Sequence, residues 1–135
     1  MTKLKEKAET QLKILGFHKT KTQFNPTMSE LDRIKANYEL VRQINQFSSK
    51  GQSFFKVTNS KSNAYYEPND RNIYFRPGTE YTTATAVAHE IGHGLGKYQA
   101  KSASYYNTAK AYAQARGYGE AEAIFNEARM IAYEE

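Results

Sequence analysis

The stretch TATAVAHEIGHGLG, residues 83–96, holds two of the chain's three histidines. His89 and His93 are four positions apart, which on an α-helix leaves them only ~40° apart around the axis and ~6 Å apart along it. Both imidazoles can then converge on one cation. Zinc takes neutral imidazole nitrogens at ~2.0–2.1 Å, and a catalytic zinc keeps three protein ligands and leaves a fourth position to water. Glu90, directly after the first histidine, projects beside such an ion rather than onto it, where a general base for that water has to stand. The chemistry this trio points to is hydrolysis of a peptide bond, with Zn²⁺ as cofactor and Glu90 as the catalytic residue.

The residues around the trio support that direction. Ala84, Ala86, Val87, Ala88, Ile91 and Leu95 make nearly the whole helix apolar, so it must be buried. A buried helix does not hold two histidines and a glutamate without partners, because each unsatisfied polar group costs on the order of 1–3 kcal/mol. Gly92 and Gly94 leave the helix surface bare beside the imidazoles, with room for a close neighbour or substrate. The bland alternative is a pair of core histidines bonded to backbone, with Glu90 in a salt bridge.

A third ligand has to come from elsewhere. An extended H-E-x-x-H-x-x-G-x-x-H motif would put a histidine at position 99, where this chain has Gln99, and an amide is a poor zinc ligand. Gly96 then reads as an ordinary helix stop. His18 lies in a polar connector and reads as a surface residue. Carboxylates remain, and the downstream candidates are Glu120, Glu122, Glu127, Glu134 and Glu135. On one helix, Glu120, Ala123, Ile124, Glu127, Ala128 and Ile131 share an arc of ~140°, an apolar stripe expected to face the core, where a carboxylate calls for a compensating charge such as zinc; Glu122 points ~200° away from Glu120. Glu120 is the favoured metal ligand. Glu127 is the alternative, or a hydrogen-bond partner for a ligand histidine. The competing roles are a first-turn acid for Glu120 and a pair with Arg116 or Arg129 for Glu127.

These groups need elements to hold them. Leu4, Ala8, Leu12 and Leu15 make the stripe of a first helix ended by Gly16. Thr27 and Glu30 suggest a capping box for a second, which Leu31, Ile34, Tyr38, Val41 and Ile44 continue to about residue 48. GQSFFKVTN, NAYYEP and RNIYFRP, separated by turn residues, predict two or three short antiparallel strands within residues 52–76. Helices follow at roughly 80–96, at 102–115 ending at Gly117, and at 119–133. The fold class is therefore α+β: two N-terminal helices, a small sheet, the motif helix and two C-terminal helices. An edge strand beside the motif helix would let an extended peptide pair with it, and RNIYFR is the candidate, with Ile73, Tyr74 and Phe75 lining the substrate cleft.

At 135 residues without cysteine, the chain reads as one domain, residues 1–135, with an N-terminal helical part to about 50 and a catalytic part from about 51. Disulfide frameworks, Cys-based zinc sites and thiol catalysis are excluded. No apolar run approaches the ~20 residues of a membrane span, and the N-terminus lacks the blocked apolar region of a signal peptide. No membrane partner is expected; export would need a specialised secretion system, or the chain is part of a longer protein. Net charge is +5, with ten Lys and Arg against five acids in residues 1–50. The basic residues are dispersed and no nucleic-acid motif is present, which argues against a nucleic-acid module. The many Tyr and Phe are expected to fill much of the core and the cleft walls. Tyr98, Tyr105, Tyr106, Tyr112 and Tyr118 are all candidates to steady a developing oxyanion.

AVAHEIGHGLG resembles the zincin signature, and GEAEAIFNEAR is similar to the second motif of small bacterial effector and toxin metallopeptidases of the glutamate-zincin kind. In that pattern a Glu, an Ala three residues on and a Glu seven residues on follow H-E-x-x-H, matching Glu120, Ala123 and Glu127. Ala128 stands where such toxins often have Asn. The likeness covers about residues 70–131, and residues 1–50 contribute nothing to it. It implies a small zincin-like fold and a zinc-dependent endopeptidase acting on a protein or peptide substrate. It also implies a secreted effector or toxin with an immunity or inhibitor protein as partner. The rival expectation is a zinc-binding structural or regulatory domain without proteolysis.

Overall fold

The computed structural model describes residues 7–8, 29–48, 55–57, 64–76, 83–99, 101 and 103–134. Of the expected first helix, Lys7 and Ala8 are helical and Ala8 is buried; the rest, with His18 and Thr27, lies outside the described residues. Helix α1, Glu30–Ala36, starts at Ser29, whose hydroxyl accepts the Asp32 N–H at 3.1 Å, with Glu30 and Asp32 in the first turn where the helix dipole favours acids. The single helix expected up to residue 48 is broken. α1 ends at Asn37, and α2, Tyr38–Ser48, begins there. Asn37 leaves helical geometry because its side chain serves two partners, accepting the Leu40 N–H to cap α2 and donating to the Met130 carbonyl, both at 3.0 Å. The apolar stripe runs across the break, and Leu31, Ile34, Val41, Ile44 and Phe47 are all buried.

Three short strands follow: β1 (Phe55–Val57), β2 (Ala64–Glu67) and β3 (Asn72–Phe75). β2 and β3 form the expected antiparallel hairpin, with Tyr65 opposite Tyr74 and Tyr66 opposite Ile73. The turn between them is held by side chains: Glu67 accepts the Asn69 N–H and Asp70 accepts the Asn72 N–H, while Arg71 takes a left-handed φ of 59°. The sheet is not wholly antiparallel. β1 pairs parallel with β3, giving the order β1-β3-β2. β3 is therefore the central strand, and the edges are β1 and β2.

Helix α3, Ala84–Leu95, is capped by Thr83, whose hydroxyl accepts the Ala86 N–H at 3.2 Å. Its apolar side packs Ala84, Val87, Ala88 and Ile91 against the α1–α2 stripe and against Ile73 and Phe75 of β3. Burying each of the larger side chains stabilises the fold by about 1.5–3 kcal/mol. The two helices expected at 102–115 and 119–133 are one continuous helix, α4, Ala109–Glu134, preceded by a 3₁₀ turn at Ala103–Tyr105. Gly117 does not end it. Among the described residues, Phe47 and Phe75 are fully buried and Tyr66 packs against the core, whereas Tyr98, Tyr105, Tyr118, Phe125 and Tyr133 are exposed. No helix among the described residues is long and apolar enough to cross a membrane.

Candidate metal centre

α3 and α4 come together on small residues. A Cβ added to Gly92 would lie 2.7 Å from the Ala123 α-carbon, and one added to Gly119 would lie 3.1 Å from the Tyr98 carbonyl oxygen. Close approach of the two helices is thus built from Gly92 against Ala123, and Gly119 lets α4 lie against the Tyr98 carbonyl just beyond α3. Gly94 makes room for Phe47 in the same way. The buried face of α4 is Gly119, Ala123, Asn126 and Met130. The Ile stripe expected to face the core is solvent-exposed, with Ile124 at 54%. Glu120 and Glu127 consequently sit at the rim of the helix contact rather than in the core, and the Glu120 side chain is 52% exposed.

That rim is where the histidines emerge. The Nε2 atoms of His89 and His93 both face the Glu120 carboxylate, at 2.8 Å from Oε1 and 3.2 Å from Oε2. The two rings are 5.0 Å apart and nearly perpendicular. One ligand atom from each of the three residues fits within a 4.8 Å span. Glu127 approaches the other nitrogen of His89, its Oε2 lying 3.3 Å from Nδ1. A ligand histidine commonly has its second nitrogen held by a carboxylate, which sets the tautomer that leaves Nε2 free.

Glu90 lies beside this group, 4.0 Å from His89 Nε2. It is buried, its Oε2 has no hydrogen-bond partner, and it engages the backbone N–H of Tyr66 on β2. Burial pushes its carboxyl up to about 7; the neighbouring Glu120 and Glu127 charges push the same way, and His89 opposes them. Burial also holds His93 below the ordinary histidine value, against the pull of Glu120, and so favours the neutral imidazole that a metal requires.

The residues fit a zinc ion. Two imidazole nitrogens and a carboxylate oxygen are a donor set that zinc accepts, and bonds of ~2.0–2.1 Å in a tetrahedron separate ligand atoms by about 3.3 Å. The two nitrogen–oxygen contacts, 2.8 and 3.2 Å, lie within about half an ångström of that separation, and all three donors fall within 4.8 Å of one another. The unpartnered buried oxygen of Glu90 next to them is a group that a cation and its water would satisfy.

A cleft of about 490 Å³ opens onto these groups between β2 on one wall and α4 on the other. Here the expected cleft residues are corrected. Ile73 and Phe75 belong to the central strand and are fully buried, and Tyr74 lies on the far face, stacked on Tyr65 with its hydroxyl bonded to Asp70. The strand that borders the cleft is β2, through Tyr65, Tyr66 and Glu67. The physical reason is the parallel β1–β3 pairing, which occupies the edge that β3 would otherwise offer.

Of the candidate tyrosines, Tyr112 lines this cleft, together with Arg116, whose guanidinium reaches the Tyr112 hydroxyl at 3.4 Å. Tyr98 and Tyr118 stack on each other and face a separate groove of about 510 Å³ that contains neither histidine. Arg116 was not singled out by motif. The signal was nevertheless present: Tyr112 and Arg116 stand eight and four residues before Glu120, on the same side of one helix, once Gly117 is not read as a stop. Glu122, as expected, points away from the histidines, and its carboxylate accepts the N–H groups of Lys97 and Tyr98 at 2.9 Å each. A Cβ on Gly96 would lie 2.7 Å from the Gly92 carbonyl oxygen as well as 2.8 Å from a Glu122 oxygen, so the turn that ends α3 needs glycine. Gln99 donates its amide to the carbonyls of His93 and Gly96, finishing α3 instead of ligating. Comparison with models of protein families, with curated proteins and with solved structures returned no match.

Proposed function

We propose that the chain is a zinc-dependent endopeptidase of the glutamate-zincin kind. His89, His93 and Glu120 hold one Zn²⁺, and Glu90 is the general base. The observation that carries this reading is the convergence of two imidazole Nε2 atoms on one carboxylate, with a buried, unpartnered Glu90 oxygen alongside. Bound zinc supplies Lewis acidity, polarising a carbonyl and lowering the pKa of a water toward ~7. Beside such a metal, Glu90 would be the group that holds the proton of the attacking water and hands it to the leaving amine. Its surroundings suit the second role, because a desolvated carboxyl holds a proton more readily than an exposed one. The outer edge of β2 orients an extended substrate backbone, and Tyr112 with Arg116 supplies donors for the carbonyl oxygen. Glu127 fixes the His89 ring.

The test is metal content by mass spectrometry on purified protein, joined to hydrolysis of a quenched peptide library. One zinc per chain and turnover abolished by a chelator are expected. Protein that does not take up zinc at neutral pH removes the reading, and zinc uptake without turnover leaves a non-catalytic metal site.

A further inference from the structure

The helix pair α1–α2 supplies no group to the metal centre, yet it grips both helices that do. From α1, the buried Glu30 accepts the N–H of Ala84, the first residue of α3, at 3.1 Å. Arg33 holds Glu134 on α4 through two hydrogen bonds of 2.7 and 2.9 Å, and Asn37 donates to the Met130 carbonyl. From α2, Gln43 and Asn126 exchange a reciprocal pair of amide hydrogen bonds, 2.8 and 2.9 Å, with both side chains more than nine-tenths buried. Asn126 then uses its remaining N–H on the carbonyl of Ala88, at 2.7 Å, one residue before His89. The α4 residues held in this way, Asn126, Met130 and Glu134, are spaced by four and form one face.

The chemistry of these contacts matters more than their number. The contact of α3 with α4 runs over Gly92, Gly119 and Ala123, which have almost no side chain to interlock. Small-residue packing permits close approach but leaves rotation and sliding of one helix on the other weakly defined. A slip of one residue on α4 would turn Glu120 by ~100° and carry it away from both histidines. Buried amide pairs are directional, and one left half-satisfied is costly, so they select a single register where apolar contact does not.

We propose that the helix pair 29–48 is a positioning element of the metal centre, in which Gln43, bonded to Asn126 of α4, sets the register of α4 on α3 so that Glu120 faces His89 and His93. The inference rests on the metal-binding reading above. It also makes residues 29–48 part of the functional unit, although they lie outside the stretch that resembles a metallopeptidase.

The experiment uses the full chain with cobaltous ion as a spectroscopic probe and zinc in competition. Gln43→Met with Asn126→Leu removes the amide pair at similar volume; the Ala88 carbonyl that loses Asn126 still accepts within α3, and Glu39, which loses Gln43, keeps Arg42. The metal-free melting curve is expected to stay cooperative, with zinc affinity lower by about tenfold or more, in the range seen when groups supporting a ligand are removed. The intense visible absorption of four-coordinate cobalt should weaken. Ile34→Val, which trims the same helix pair without touching a tie, should lower stability and leave the cobalt spectrum unchanged. If the double variant does not fold, Gln43→Met alone, which keeps the bond from Asn126 to Ala88, is read by the same two measurements. A folded variant with wild-type zinc affinity and an unchanged cobalt spectrum overturns the positioning role. Wild-type protein that binds neither metal overturns the metal reading itself.

Discussion

Helices α3 and α4 both carry groups of the candidate centre, and they are built by different rules. α3 is short, apolar and capped by Thr83, and its functional residues are spaced as a motif. α4 is 26 residues long, has glycines within it, exposes Ile124, Phe125 and Ile131, and buries Gly119, Ala123, Asn126 and Met130 instead. One helix is placed by what it buries, the other by how closely and through which polar contacts it can be approached. The difference teaches that a ligand pair within one helix is a local matter, whereas the third ligand depends on the register between two helices.

The largest effect expected on this division falls within α3. Glu90→Gln should lower turnover by ~10²–10⁴-fold, the usual scale of general acid–base catalysis, while zinc content stays at the wild-type level. The metal-free variant should also be more stable than the wild type above pH ~7 by ~1–3 kcal/mol, because burial makes ionising the Glu90 carboxyl costly and the amide does not ionise. Paired metal analysis and peptide kinetics check the first outcome, and thermal unfolding in chelator checks the second. Unchanged turnover removes Glu90 as the base.

Next in size is the contrast between two glutamates on α4. Glu120→Gln removes an oxygen that faces both histidines and should cost more than ~100-fold in zinc affinity. Glu127→Gln touches only the far nitrogen of His89 and should cost ~10–100-fold. Competition with a chromogenic chelator ranks them. The reverse order would make Glu127 the ligand and Glu120 the support.

How much of this was legible in the sequence follows from the same contrast. The motif helix was read directly, because its apolar run and histidine spacing are local; even its cap at Thr83 lies next to it in sequence. The β2–β3 hairpin was legible from its turn residues. The break at Asn37 was not, since the stripe from Leu31 to Ile44 passes over it and the cause is a bond to Met130, far along the chain. Nor was the parallel pairing of β1 with β3, because short aromatic strands separated by turns look the same in either order. On α4, Glu120 and Glu127 are singled out by an apolar stripe whose Ala123 is buried but whose Ile124 and Ile131 are exposed; they reach the histidines from the rim of a small-residue contact. The helical period identified a shared face correctly but not which face was buried, because Gly119, Ala123 and Asn126 have too little hydrophobicity to mark it.

Two glycines sharpen that point, and their expected effects have opposite signs. Gly92→Ala places a methyl group 2.7 Å from the Ala123 α-carbon, so α3 and α4 must separate. Overpacking of this kind costs ~1–3 kcal/mol, and the zinc affinity should fall with it as Glu120 withdraws. Chemical denaturation of the metal-free protein and a zinc titration measure the two losses.

Gly117 gives the smallest effect and the cleanest reading of α4 itself. It lies within a continuous helix, and nothing stands within 4 Å of where its Cβ would be. No turn, close approach or unusual backbone angle requires glycine there. Alanine should therefore stabilise the fold by ~0.5–1 kcal/mol, since it lowers the backbone entropy lost on folding without meeting a neighbour. For a chain of this length that is a rise of roughly 2–6 °C in melting temperature. Zinc affinity and turnover should not change, because Tyr112, Arg116 and Glu120 keep their shared face across the substitution. If α4 instead were two helices hinged at this position, as glycine in sequence suggests, Gly117→Ala would lower the melting temperature or disturb the centre. A stabilised protein with an intact centre would mark Gly117 as a weak point in one helix rather than a boundary between two.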